Sequence, residues 1–435
     1  MHPRPIASLA RILALPLGLA LAGSAFALDW THFRFDEGHT GFNPMERTLG
    51  ADNVGQLQLA WQAQLGKLVD YSSPAVVGDL AYIASTDGRL WAFHRDGCGH
   101  SLCLKPAWSS EAMGQIVDSP TVAGGIVYVG SQTNDHSNNG KLDAFDAAGC
   151  GHAVCAPLWQ GDAGKDAILQ SSPTVADGIV YVGAFDGRLY AFDAQGCGGA
   201  SLCQPLWTGR TGGSIESTPV VSGGRVYVGS DDGKLHVFDA HGCGAAKCRE
   251  LWTGRLGSAV FASSPAIADG VVYVASQHAL SAFDANGCGE AKCEPLWQVV
   301  DKTQFFSGSP AIANGHVYVG FDTGVGVFAA GGCGHRRCDR EWLLFGSGFQ
   351  AAVVSSPTVA NGVVYAGRNT GDLLAWQADS CGQAVCLETW SHVFDEPVLS
   401  SSPTVVDGRV YIGGTEAQAA EDRQGRLYVF ELPAQ

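Results

Sequence analysis

A single stretch limits what this chain can fold into. Ser171 to Trp207, SSPTVADGIVYVGAFDGRLYAFDAQGCGGASLCQPLW, recurs in variant form along almost the whole length. Such self-similarity means a stack or ring of small units, because one unit cannot bury its apolar surface alone. Within the unit, Pro173 to Ala176 reads as a short strand, and Asp177-Gly178 as a tight turn into the β-branched run Ile179 to Val182. Asp186-Gly187 is a second hairpin signal, ahead of Arg188 to Asp193. A cysteine-bearing loop follows, and Pro205-Leu206-Trp207 opens a fourth strand. Four short strands joined by tight turns make one antiparallel blade.

The proline of an S-P pair, T-P in the fourth copy, fixes the register. It stands at Pro74, Pro120, Pro173, Pro219, Pro265, Pro310, Pro357 and Pro403, at intervals of 46, 53, 46, 46, 45, 47 and 46 residues. There are thus eight copies, the second enlarged. Trp108, Trp159, Trp207, Trp252, Trp297, Trp342 and Trp390 mark the fourth strand of the first seven. The eighth copy runs out at Leu427 to Phe430 with three strands written, and Leu57 to Trp61 supplies the missing strand from the other end of the chain. The expected fold is therefore all-β: an eight-bladed ring of four-stranded antiparallel blades, closed by the N-terminal strand so that open sheet edges are removed. This overrides the two or three domains that length alone suggests.

Residues 1–27 read as a signal peptide: Arg4 and Arg11 precede the apolar run Ile12 to Ala22, and Ala25-Phe26-Ala27 suits a signal peptidase. No cysteine follows the run to take a lipid, and the run is short for a membrane span. A leader over 28–56, with Trp30, Phe33 and Phe42, is expected along the outside of the ring or over one mouth; the ring covers 57–432 and a tail 433–435. Without Arg4 and Arg11, 26 − 2 = 24 basic residues stand against 42 acidic ones, a charge of −18. Nucleic acid and anionic membrane surfaces are poor partners for that balance.

Fourteen cysteines fall into seven local pairs, Cys98/Cys103, Cys150/Cys155, Cys197/Cys203, Cys243/Cys248, Cys288/Cys293, Cys333/Cys338 and Cys381/Cys386. Each pair sits in the loop between third and fourth strands, so seven small disulfide loops in an exported protein are expected, stiffening the blade rims. Two sulfurs per site are too few for a closed zinc centre. The recurring tryptophans, Trp61 included, are assigned to inter-blade docking, since a buried indole covers about 150–250 Å². Trp91 and Trp376 are read as packing. Asp87, Asp177, Asp186, Asp232, Asp269 and Asp407 precede glycine and are explained by turn chemistry.

The segments Gly187 to Asp193 leading to Trp207, and Gly233 to Asp239 leading to Trp252, resemble the pyrroloquinoline quinone (PQQ) type propeller repeat. That resemblance implies eight blades with the fourth-strand tryptophan docked between neighbours. Proteins of this family include quinone-dependent alcohol and sugar dehydrogenases and a cofactor-free outer-membrane assembly lipoprotein. This chain departs from the family by placing a G-C-G-x(3)-C loop, in most copies, where a threonine-glycine turn is usual.

Function on a ring is sought where the repeat is broken, in the loops entering the innermost strands. These carry Asp70-Tyr71, Asp118, Gln170, Glu216, Phe261, Phe305-Phe306, Val353-Val354 and Leu399, polar on blades one to four and apolar on five to eight. Asp70, Tyr71, Asp118, Gln170 and Glu216 are the candidate ligand or metal residues, although ordinary solvent-facing loops would look the same. Asp70, Asp118 and Glu216 carry oxygens of the kind calcium needs in sixes to eights. A quinone dehydrogenase also needs cations for the quinone carboxylates, and only Lys67 and Lys302 lie near these segments, with Arg89, Arg188 and Arg368 more distant in sequence. Two insertions, Gln132 to Gly140 and Thr415 to Gln424, are expected as tolerated polar loops. The reading is an exported, periplasmic or secreted monomer, a non-catalytic platform for a protein or small ligand with no cofactor. The alternative is a PQQ- and Ca2+-dependent dehydrogenase of alcohols or sugars.

Overall fold

The computed structural model describes residues 29–132, 139–165, 171–261, 263–347, 351–394, 400–416 and 424–434. Eight small sheets follow one another in chain order, and the expected eight-bladed propeller is found. Blade three is representative. Thr174–Ala176, Ile179–Gly183, Arg188–Asp193 and Trp207–Arg210 form an antiparallel meander. Asp177 and Gly178 lie at φ of 49° and 77°, the pair of positive values that a two-residue hairpin turn requires and that Asp-Gly tolerates. Val180, Tyr181 and Val182 are all buried, so the strand reads as a continuous apolar run; both of its faces are covered by neighbouring blades. Gln58–Gln64 pairs antiparallel with Gln424–Glu431, with Trp61 opposite Val429, and closes the ring as expected.

The seven disulfides form as paired in the sequence, Cys98–Cys103, Cys150–Cys155, Cys197–Cys203, Cys243–Cys248, Cys288–Cys293, Cys333–Cys338 and Cys381–Cys386. Their placement corrects the expectation of simple rim staples. Only the first cysteine of each pair is exposed, whereas Cys103, Cys155, Cys203, Cys248, Cys293 and Cys386 are buried and Cys338 is half-buried. The second cysteine is not a loop residue either, because it reaches back to the preceding blade and runs parallel to its outer strand. Cys103 stands opposite Ala63, Cys155 opposite Ser110, Cys203 opposite Gly161, Cys248 opposite Gly209, Cys293 opposite Gly254 and Cys386 opposite Leu344. Cys338 makes the same approach more loosely, donating its N–H to Gln298 O (3.0 Å) beside the bridge from Arg337 to Gln298. A short fifth strand or bridge thus extends the four-stranded blade anticipated from sequence. The burial has a physical reason: each of these sulfurs packs at a junction of two blades, as Cys248 does with Trp207, Tyr181 and Phe238. The first glycine of the G-C-G loop lies flat on the preceding indole, and a Cβ on Gly242 would sit 2.6 Å from Trp207 Cδ1.

The serine of the S-P pair has a structural role of its own. Ser73 N–H donates to Ser119 Oγ (2.9 Å), Ser119 to Ser172, Ser172 to Thr218, Thr218 to Ser264, Ser264 to Ser309, Ser309 to Ser356, Ser356 to Ser402, and Ser402 back to Ser73 (2.8 Å). This closed girdle of hydrogen bonds lines the inside of the ring, and it satisfies a buried amide in every blade.

The leader takes the second of its two expected places, across one mouth, where it visits every blade in turn. Carbonyls of Trp30, Thr31, Glu37, Gly38, Thr40 and Gly41 accept the N–H groups of Val76, Val122, Val221, Ile267, Ile312 and Val359. His32 Nε2 bonds Val175 O, and Asn43 Nδ2 donates to Val405 O, which completes the circuit. Arg34 is buried and donates to Pro310 O (2.9 Å). The channel is therefore floored at the end away from the S-P loops. No helix among the described residues is long and apolar enough to cross a membrane.

Candidate functional site

With one end floored, access to the channel is from the mouth formed by the loops that enter the inner strands. Tyr71 stands at its centre. Its φ of 59° is a left-handed conformation that a bulky side chain adopts only when its surroundings force it, and such strain gathers at functional positions. Tyr71 lines two cavities. The outer one, of about 520 Å³, is walled by Tyr71, Phe261, Phe305 and Val354 together with the polar residues Gln277, Ser307, Asp322, Asn369 and Ser400. The inner one, of about 30 Å³, runs from Tyr71 past Ser172, Ser356 and Ser402 of the girdle to Phe33 of the leader. Phe261 and Phe305 are 38 % and 36 % exposed, large apolar surfaces open to solvent. The apolar half of the mouth read from blades five to eight is thus a concave pocket.

The acidic half does not converge in the same way. Asp70 is half-buried and accepts a hydrogen bond from Ser400 Oγ (3.2 Å), and burial raises its carboxyl above the usual range. Burial also raises the Tyr71 hydroxyl, helped by the charges of Asp70 and Glu216. Glu216 is half-buried. Gln170 and Leu399 lie outside the described residues. Phe306 and Val353 turn inward and are buried, so they pack rather than line the opening.

Asp118 is 1 % exposed and does not face the mouth. In five other blades a serine two residues before the proline accepts an N–H from the second strand, as Ser171 does from Gly183 (2.8 Å). Asp118 occupies that position and accepts from Gly130 N–H, while its Oδ1 has no partner among the described residues. Asp143 lies close by, bonded by Ser131 Oγ and Gln160 Nε2. Burial pushes Asp118 well above the usual carboxyl range, and Asp143 up to about 6 with Lys141 partly opposing. Carboxyls raised in the folded state favour folding most below their ordinary value near 4. For Asp143 that contribution is lost as pH rises through about 6. Asp118→Ser restores the residue the other blades use, and urea unfolding is expected to show a gain of about 1–3 kcal/mol at pH 8 that shrinks towards pH 4. A loss of stability at pH 8 would show that the carboxyl is needed there.

A quinone with its calcium does not fit these residues. Neither mouth cavity is lined by arginine, lysine or a cysteine of the disulfide pairs. Arg89, Arg188 and Arg368 are instead paired inside their own blades with Asp87, Asp186 and Asp372. Among the described residues no three His, Cys, Asp or Glu side chains, Asp70, Asp118 and Glu216 included, come together as a group that could hold a metal ion. A further groove of about 500 Å³ holds Lys234 and Arg255 of blade four with Lys292 and Cys293 of the loop that caps it, and Lys234 is paired to Asp232 at 2.6 Å. Sequence reasoning missed Asp322 and Asn369, which sit in hairpin turns far from the proline marker.

Fold, girdle, floored channel and open mouth define an eight-bladed propeller of PQQ-like repeats. Residues 58–196, 138–242 and 204–385 match the family model described as outer membrane protein assembly factor BamB, together 58–385, or 385 − 57 = 328 of 435 residues. The chain belongs to that family. Among solved structures it is similar to BamB from Moraxella catarrhalis, with TM-score 0.59 and 17% identity over 87% of this chain and 98% of that one. It is also similar to quinohemoprotein alcohol dehydrogenase from Comamonas testosteroni, with TM-score 0.64 and 14% identity over 95% of this chain and 82% of that one. A computationally designed protein, Ika8, shares the fold with TM-score 0.60 and 16% identity over 85% and 99%. At these identities the likeness is one of fold. No curated protein matches the chain.

Proposed function

We propose that this protein is an exported, non-catalytic binding platform working outside the cytoplasm, with its ligand held in the mouth pocket. The observation that carries the reading is the outer cavity of about 520 Å³, apolar and aromatic on one side with Asp322 and Asn369 as hydrogen-bonding groups. Pockets of this size and character hold small amphiphilic molecules or a protruding apolar side chain. The leader and the girdle keep the pocket rigid from below, so it is formed before a ligand arrives and little ordering entropy opposes binding. Seven disulfides suit an oxidising compartment, and the signal-like segment at 1–27 suits export. The dehydrogenase reading lacks its cationic clamp.

The test is a titration with the neutral fluorophore N-phenyl-1-naphthylamine beside one with PQQ and Ca2+. The fluorophore is expected to bind one to one, and Phe305→Ala to weaken it about tenfold through lost aromatic contact. PQQ is expected to give no stoichiometric complex and no dye-linked oxidation of alcohols or sugars. Stoichiometric quinone binding with turnover would overturn the platform reading.

A further inference from the structure

Seven of the eight outer strands are capped by the cystine loop of the next repeat. In each, one outward-facing residue donates its N–H to a carbonyl of the loop: Gln62 to Ser101, Ser109 to Ala153, Gln160 to Ser201, Thr208 to Ala246, Thr253 to Ala291, Gln298 to Arg336 and Leu343 to Ala384, at 2.8–3.0 Å. Blade seven is the exception. Its outer strand, Trp390–Val393, is the last in its sheet among the described residues. Ser391 pairs with Leu374 as Thr208 pairs with Tyr190, so its N–H and C=O point outward in the same way. Ser391 is exposed, Val393 beside it is 67 % exposed, and among the described residues the Ser391 N–H finds no acceptor.

The leader fills only part of the gap. Leu57 O accepts the Trp390 indole N–H (3.0 Å), and Leu49, Val54 and Leu57 pack near the ring, but none of them adds a strand. We infer that the outer edge of blade seven is a docking site for an extended segment of a partner protein, which enters as the parallel fifth strand that every other blade receives from within. The seven internal caps state the chemistry of that segment. The residue whose carbonyl accepts is Ser or Ala in six of them, the next residue is Leu102, Val154, Leu202, Lys247, Lys292, Arg337 or Val385, and the third is a cysteine set against an indole. The partner segment is thus small, then basic or branched-apolar, then small. An acidic residue is absent from the middle position, in keeping with the chain's charge of −16. A second copy cannot supply the strand from its own caps, since all seven cystine loops are engaged in the ring. Backbone pairing gives the affinity and the side-chain pattern the selectivity.

The probe is a labelled peptide of the loop that caps blade three, Gly244 to Glu250 with Cys248→Ala, followed by fluorescence anisotropy and by amide exchange at Ser391. Saturable one-to-one binding with protection of the Ser391 amide is expected. Ser391→Pro removes only an outward N–H, so it should melt like the parent yet bind at least tenfold more weakly, whereas Ser391→Ala should bind as the parent does. A peptide with Lys247→Glu should also bind more weakly. Absence of saturable binding up to millimolar peptide, or equal binding to Ser391→Pro, overturns the inference. A concentration-dependent dimer that Ser391→Pro dissolves would also overturn it, since the edge would then be closed by a second copy. The mouth pocket is untouched by these variants, so fluorophore binding there reports separately on the platform reading.

Discussion

A chain lacking residues 29–43 is expected to lose more than about 5 kcal/mol of stability and to be cut readily by protease within its blades. The segment adds to the sheets only the two-residue strand Phe42–Asn43, parallel to Thr358–Ala360, yet it accepts or donates a hydrogen bond at the inner strand of all eight blades. Each of those inner-strand groups is buried, so removing the leader leaves them without partners in the channel unless water follows. Trp30 goes too, a side chain 2 % exposed that packs with Trp61 and Val76. Circular dichroism melts of the truncated and full chains give the comparison. A truncated chain that melts within about 2 °C of the full one would show the leader to be decoration on a ring that holds itself together.

The second large effect is expected at the docking tryptophans. Trp207→Ala should cost about 3–5 kcal/mol in urea unfolding, because the indole fills the junction between blades three and four and its neighbours cannot all move in. Tyr181 lies 6.1 Å from it and Phe238 6.4 Å, ring centre to ring centre. Gly242→Ala should approach the same junction from the other side: its methyl would meet the indole at 2.6 Å, at a φ of 80°. Gly244→Ala is the control, with a similar φ of 74° and open space around it. If the two alanine variants lose the same stability, the indole contact is not what the first glycine provides. Losing one disulfide alone should matter less, about 2 kcal/mol for so short a loop.

Most of the fold was legible because each repeat carries its own turn signals and because Trp61 could be matched to the missing eighth tryptophan. The girdle was written in the sequence as well: the S-P pair served to set the register, but only coordinates show a serine hydroxyl facing the amide of the blade before. The fifth strands were hidden for a different reason. Two residues such as Lys247-Cys248 or Leu202-Cys203 have no periodicity to detect, and their pairing depends on how one blade leans on the next. The spacing of the cysteines gave the bonds but could not tell that the second sulfur of each turns inward. The leader escaped for want of any repeat, since its contacts are single backbone bonds with residues distant in the chain. At the mouth, Phe261, Phe305 and Val354 line one pocket with Tyr71, but beside polar residues such as Gln277, Asp322 and Asn369 that the division into halves did not anticipate. Asp118 does not line it, because proximity to the proline marker does not tell a residue that faces the channel from one that turns into the blade.

In seven of the eight blades the strand that finishes the blade lies in the repeat that follows it, and this sets an order on assembly. A chain that emerges from its N-terminus always has one raw edge, which moves forward as each new cysteine pair arrives and is oxidised. The last step is of another kind. Residues 58–64 must find 424–431, a loop closure across nearly the whole chain, which is slow because its entropy is lost before any contact rewards it. Until then the protein is a crescent with two complementary ends. At high concentration those ends can meet on different molecules, so dilution during refolding should favour single rings over exchanged pairs.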